Sequence, residues 1–145
     1  MRKILTAMTL IALAGCSTSQ VTADKALQVP ADRILAYAAK PSAPYGTIVV
    51  TRDTGWVGGA CYVGILVDGK FSARIDTGEV VSLYVPVGEH LVGLVGDESS
   101  GGVCGWGDLR KEQSANVSIG QVIRLTPTPL KSSRSGARSA YAIRL

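Results

Sequence analysis

Histidine and phenylalanine each occur once in this 145-residue chain, tryptophan twice and cysteine three times. These scarcities exclude several kinds of chemistry. With His90 as the sole histidine and no Cys-x-x-Cys pair, no zinc ligand set can be assembled. Neither a Gly-x-Ser-x-Gly elbow nor a glycine loop followed by Lys-Ser/Thr is present. Residues 97–108 have the length of a calcium loop, but Gly101 stands at the fifth position and Asp108 replaces the bidentate Glu. Asp97 and Glu98 are adjacent, with side chains that diverge, and make a poor acid–base pair. The expectation is a non-enzymatic protein with no catalytic residue, no metal and no cofactor. Nor does any apolar run reach the ~20 residues that a membrane-spanning helix needs.

What is present begins at the N-terminus. Arg2 and Lys3 precede an apolar stretch, residues 4–13, that closes on Leu13-Ala14-Gly15-Cys16. A basic start, a short greasy core and small residues before a cut site read as a secretory signal peptide over residues 1–15. The last four residues resemble the lipobox of bacterial lipoproteins. That resemblance implies a diacylglycerol on the Cys16 sulfur, cleavage before it and acylation of the new amine. Two or more chains, at about 0.8 kcal/mol per buried methylene, make anchoring in a lipid bilayer stable where one is marginal. Ser17, rather than Asp, implies shipment to the outer membrane under the sorting rules of enteric bacteria. The alternative is a cleaved signal peptide with a coincidental cysteine.

Charge excludes another class. The chain carries 15 basic and 11 acidic residues, and two of the basic ones, Arg2 and Lys3, leave with the signal peptide. So even a balance, in an exported protein, argues against nucleic acid. From residue 124 onward Arg124, Lys131, Arg134, Arg138 and Arg144 meet no Asp or Glu. Such a tail reads as a solvated strand edge, where positive charge discourages edge pairing, or as a neighbour of anionic lipid headgroups or an acidic polymer. Cys61 and Cys104, an even pair in an oxidising compartment, are expected to form a disulfide. The sharper alternative, Cys104 as a nucleophile, needs His90 as its base.

Residues 17–23 are small and polar, and residues 16–28 as a whole read as a lipidated tether that lifts one domain, residues 29–145, roughly 20–25 Å from the bilayer. Pro30 suits the first turn of a short helix, with Ile34, Leu35 and Tyr37 available to cover a sheet. From Thr47 onward the pattern has period two and the vocabulary is β-branched. Strands are expected over residues 47–52, 60–67, 70–75, 79–85, 90–95, 109–119, 122–126 and 141–145. In the second, Cys61, Val63, Ile65 and Val67 share a face; in the third, Phe71, Ala73 and Ile75 point inward. Asp68-Gly69 signals a two-residue hairpin whose central positions both need positive φ. The fold class is mainly β, an antiparallel Ig-like sandwich of seven or eight strands preceded by a short helix and a lipidated tether.

Ile65 to Lys70 as "ILVDGK", and Leu83 to Leu91 as "LYVPVGEHL", with Val29-Pro30-Ala31-Asp32-Arg33 and "IVVTRD" at residues 48–53, resemble small proteobacterial lipoproteins with a PEGA-type domain. The likeness spans roughly residues 29–126. It implies a sandwich and offers no catalytic residue, because Pro-x-Gly-x-His is turn chemistry; His90 is expected to bond the turn backbone rather than a metal. Trp56 and Trp106 flank the two cysteines and are candidates for a partner-binding patch, or for a small cluster covering the disulfide. The functional expectation is an envelope lipoprotein presenting loops to a protein or glycan partner. The alternative is an inhibitor or defence lipoprotein (lysozyme inhibition or phage exclusion), for which Ser135-Gly136-Ala137-Arg138 faintly resembles the loop of C-type lysozyme inhibitors.

Overall fold

A computed structural model describes residues 20–54, 61–97, 104, 110–129 and 141–144. Among the described residues, eight strands of four or more residues build two sheets, as the period-two pattern requires: β2 (Tyr45–Thr51), β3 (Val63–Val67), β4 (Lys70–Ile75), β5 (Glu79–Pro86), β6 (Gly88–Gly96), β7 (Arg110–Val117), β8 (Val122–Pro129) and β9 (Tyr141–Arg144). A two-residue strand, β1 (Leu27–Gln28), extends the first sheet, whose order is β1-β5-β2-β8-β9; the second is β4-β3-β6-β7. The sheets face each other as a β-sandwich. Alternate side chains fill the space between them: Ile48 and Val50 from β2, Val81, Leu83 and Val85 from β5, Ile65 and Val67 from β3, Val92 and Leu94 from β6. Each fully buried aliphatic of this kind contributes about 1.5–3 kcal/mol.

Pairing is mixed rather than purely antiparallel. β2 runs antiparallel to β5 but parallel to β8, and β1 runs parallel to β5. The chain visits the other sheet between β2 and β5 and again between β5 and β8, so strands of one sheet are joined by long crossovers. Hairpin logic, which dictates antiparallel neighbours, therefore applies only within β3–β4, β6–β7 and β8–β9.

The Asp68-Gly69 hairpin forms with both residues at positive φ, 52° and 75°. Phe71, however, does not point inward. Val63 pairs with Ile75 and Ile65 with Ala73, but Leu66 pairs with Phe71, so Ser72 is an extra residue in β4. Such a bulge reverses the alternation. Ala73 and Ile75 enter the core, while Phe71 lies on the outer face against Gly64, where a Cβ would sit 2.5 Å from its ring. Cys61 lies ahead of β3, half-buried and outside the core.

The short helix is a single 3-10 turn, Ala31–Arg33, after Pro30. The segment around it seals one seam of the sandwich. Val29 N–H donates to Val80 O and Tyr84 N–H to Tyr37 O along the edge of β5, while Leu35 and Ala36 N–H both donate to Ser72 O at the edge of β4. Ile34 and Tyr37 pack on the core and Leu35 faces solvent. Contacts with the sandwich begin upstream of Val29: Leu27 N–H donates to Gly78 O and Val21 N–H to Asp53 Oδ1.

Candidate functional site

Strand ends meet at two poles. At one, Cys61 and Cys104 are joined by a disulfide with their Cα atoms 5.4 Å apart. The nucleophile reading of Cys104 therefore falls, and His90 sits at the opposite pole, near the start of β6. The disulfide pole is rich in buried charge. Arg52 Nη1 donates to Cys61 O at 2.6 Å and to Ile75 O at 3.0 Å, tying β2, β4 and the bridge together. Arg33 donates with both terminal nitrogens to the Glu79 carboxylate, which also accepts Asp76 N–H at 2.7 Å. The Arg33 guanidinium stacks 4.9 Å from the Tyr62 ring centre. Its bond to Glu79 outweighs burial and raises its pKa from an already high value. Asp97, 3% exposed, pairs with Arg74 Nε at 2.7 Å. Each of these charges is engaged within the protein and ties neighbouring segments of the pole together. Among the described residues no three His, Cys, Asp or Glu side chains converge as a metal site.

At the other pole His90 is held at both ring nitrogens. Nδ1 lies 2.7 Å from Asp68 Oδ2 and Nε2 lies 2.8 Å from Pro86 O. A carbonyl only accepts, so Nε2 donates to Pro86 O, and the protonated ring donates from Nδ1 to the Asp68 carboxylate as well. Burial opposes that charge, but the bonds to Asp68 and Pro86 outweigh it and raise the pKa above 6.5. Asp68 Oδ1 meanwhile accepts Leu91 N–H at 2.8 Å. His90 thus bonds the turn backbone, as the Pro-x-Gly-x-His reading expects, and adds a tie to the neighbouring hairpin.

Among the described residues, a concave surface lies on the outer face of the first sheet. Tyr45, Thr47 and Val49 of β2 alternate outward, beside Ser82 and Tyr84 of β5 and Val122 of β8, and the loop carrying Lys40 and Pro41 walls a trough of about 790 Å³. Tyr45 and Tyr84 meet edge to face, ring centres 5.9 Å apart. Lys40 Nζ lies 5.6 Å from the Tyr84 ring centre. One strand over, Arg124 pairs with Val49 and is exposed, flanked by the inward Ile123 and Leu125. A smaller groove of about 400 Å³ runs between β7 and β8, along Ser114, Asn116 and Gln121.

Cys16, Trp56, Trp106 and the 135–138 loop lie outside the described residues. Sequence reasoning overlooked Lys40, Tyr45 and Tyr84. Their signal was available: Tyr45-x-Thr47-x-Val49 and Ser82-x-Tyr84 are the outward phase of strands whose inward phase is aliphatic. No family model matches this chain, no curated protein matches it and no solved structure matches it.

Proposed function

We propose that this chain is a bacterial envelope lipoprotein, held by acyl chains on Cys16 to the outer membrane and facing the periplasm. Its sandwich serves as a non-enzymatic module that presents a binding surface to an envelope partner. One observation carries the reading beyond the N-terminal motif: the bond from Val21 N–H to Asp53 at the disulfide pole. Val21 is five residues from Cys16, so the chain between them reaches at most about 18 Å, less than the span from Cys16 to Ala23. A membrane anchor on Cys16 then holds the disulfide pole close to the bilayer. The His90 pole then lies at the far end of the sandwich, with the outer sheet faces along its sides, open to a partner.

Radiolabelled palmitate fed to cells expressing the full chain tests the anchor. Label that enters the wild type and not Cys16→Ala, with the wild type sedimenting in the outer-membrane fraction, is the expected result. Equal labelling of both, or of neither, would remove the anchor and with it the orientation.

A further inference from the structure

The trough on the outer face of the first sheet has a chemical character of its own. Its floor is strand β2, hydrogen-bonded on one side to β5 and on the other to β8. No free backbone edge runs along that floor, so an occupant cannot be read by strand addition. Recognition there falls to side chains. Those side chains are of three kinds: the aromatic faces and edges of Tyr45 and Tyr84, the hydroxyls of Thr47 and Ser82, and the cation of Lys40. Arg124, paired with Val49 of the trough, lines the adjoining groove on β8 and adds a second cation beside it.

Charge decides the sign of the partner. Among the described residues no Asp or Glu lines the trough, whereas Lys40 leans over the Tyr84 ring and Arg124 stands on β8 in the adjoining groove. Asp32, Asp53, Asp76, Glu79 and Asp97 lie elsewhere. Asp53, Glu79 and Asp97 are buried at the disulfide pole, and Asp68 is bound to His90. An anionic ligand therefore meets cations with no acid on the trough wall to repel it. Ring faces that stack on C–H surfaces, flanked by hydroxyls able both to donate and to accept, fit a saccharide ring. The trough is concave, and its apolar residues lie in its wall and floor, so it does not present a wedge to a lipid surface.

We infer that the Tyr45–Tyr84 trough binds a polysaccharide chain carrying carboxylate groups. Tyr45 and Tyr84 form the platform, Thr47 and Ser82 meet the sugar hydroxyls, and Lys40 and Arg124 take the carboxylates. This deepens the envelope reading by naming the class of partner, but the side-chain argument stands independently of the lipid anchor.

The test uses the full chain, expressed in a bacterium and extracted in detergent, with three insoluble or soluble probes. These are purified cell-wall sacculi, whose glycan strands bear carboxylates on their peptide stems; chitin, a neutral polymer of N-acetyl sugar; and polyglutamate, an acidic peptide. Co-sedimentation with sacculi is expected to weaken as salt rises. It should fall about tenfold in Tyr84→Ala and in the Lys40→Ala/Arg124→Ala pair, and be unchanged in Lys111→Ala on the other sheet. Unaltered Tm in the Lys40/Arg124 variant, whose side chains are exposed, separates lost binding from lost folding. Wild-type protein left in the supernatant, equal retention on chitin, or equal retention of every variant would overturn the assignment. Binding to polyglutamate without binding to sacculi would overturn it in favour of an acidic peptide. Palmitate incorporation is scored on the same preparations: its absence refutes the anchor alone, whereas loss of sacculus binding with label intact refutes the trough alone.

Discussion

The His90 ring nitrogen Nδ1 lies 2.7 Å from Asp68 Oδ2, joining the β5–β6 turn to the β3–β4 turn across 22 residues of chain. Both groups titrate away from their ordinary values. Burial lowers the His90 pKa, but its bonds to Asp68 and Pro86 raise it further than burial lowers it, to above 6.5. Burial raises the Asp68 pKa, and the His90 and Leu91 bonds pull it below 3.8. A raised folded-state pKa on His90 means that its stabilisation is complete below the unfolded value and is lost as pH rises through the folded one. Asp68 has the opposite sign, its contribution vanishing as pH falls through its depressed value. The pair is therefore strongest between the two. Urea denaturation of the wild type is expected to show stability falling as pH rises above about 6.5, and His90→Gln is expected to flatten that slope. Parallel curves for the two proteins would contradict the pairing.

Glu79 is 8% exposed and accepts both Arg33 and the Asp76 N–H. Arg33→Ala leaves that carboxylate buried without its cation and is expected to destabilise the domain by about 3–5 kcal/mol. The double variant Arg33→Ala/Glu79→Ala should lose less than the two single losses combined, because the stranded charge is gone. Chemical denaturation of all four proteins gives the coupling directly.

Gly46 faces the sheet interior where β2 passes the β7–β8 turn. A Cβ there would overlap Val117 and stand 2.8 Å from Ser118 O, a backbone atom with little room to move. At Gly64 the obstacles are the Phe71 ring and Val95 Cγ2, side-chain atoms on the outer face rather than backbone. Gly46→Ala is expected to destabilise by about 1–3 kcal/mol, and Gly64→Ala by less. The shift in denaturation midpoint ranks them.

Cys61 and Cys104 close a loop of 43 residues. Loop-closure entropy in the unfolded chain makes the bridge worth up to ~4 kcal/mol. The Cys61→Ala/Cys104→Ala variant should unfold at correspondingly lower denaturant concentration, and reducing agent should shift the wild type but not the variant. Alkylation and mass measurement of unreduced protein are expected to find neither thiol free.

Much of the sandwich was legible because strand alternation is a local signal. Val63-x-Ile65-x-Val67 and Val81-x-Leu83-x-Val85 report their inward face without reference to any partner, and Asp68-Gly69 needs only its own φ preferences to specify a hairpin. The Cys61–Cys104 disulfide was expected once Cys16 was set aside as a lipidation site and the chain was read as exported. Phe71 was misread because the bulge at Ser72 exists only in relation to β3, whose pairing sets the register of β4. The single 3-10 turn likewise reflects distant partners: Glu79 takes Arg33, and Ala73 bridges Ile34.

By itself, then, the order of residues determined the mainly β architecture, the turn positions and the pairing of the cysteines, all of which rest on short-range periodicity or on counting. Only the tertiary structure decided that β8 lies parallel to β2, that Arg33 meets Glu79, and that Tyr45, Tyr84 and Lys40 share one trough. Those relationships join residues dozens of positions apart. Hydrogen-bond pairing between strands selects them, and no single segment encodes such pairing alone.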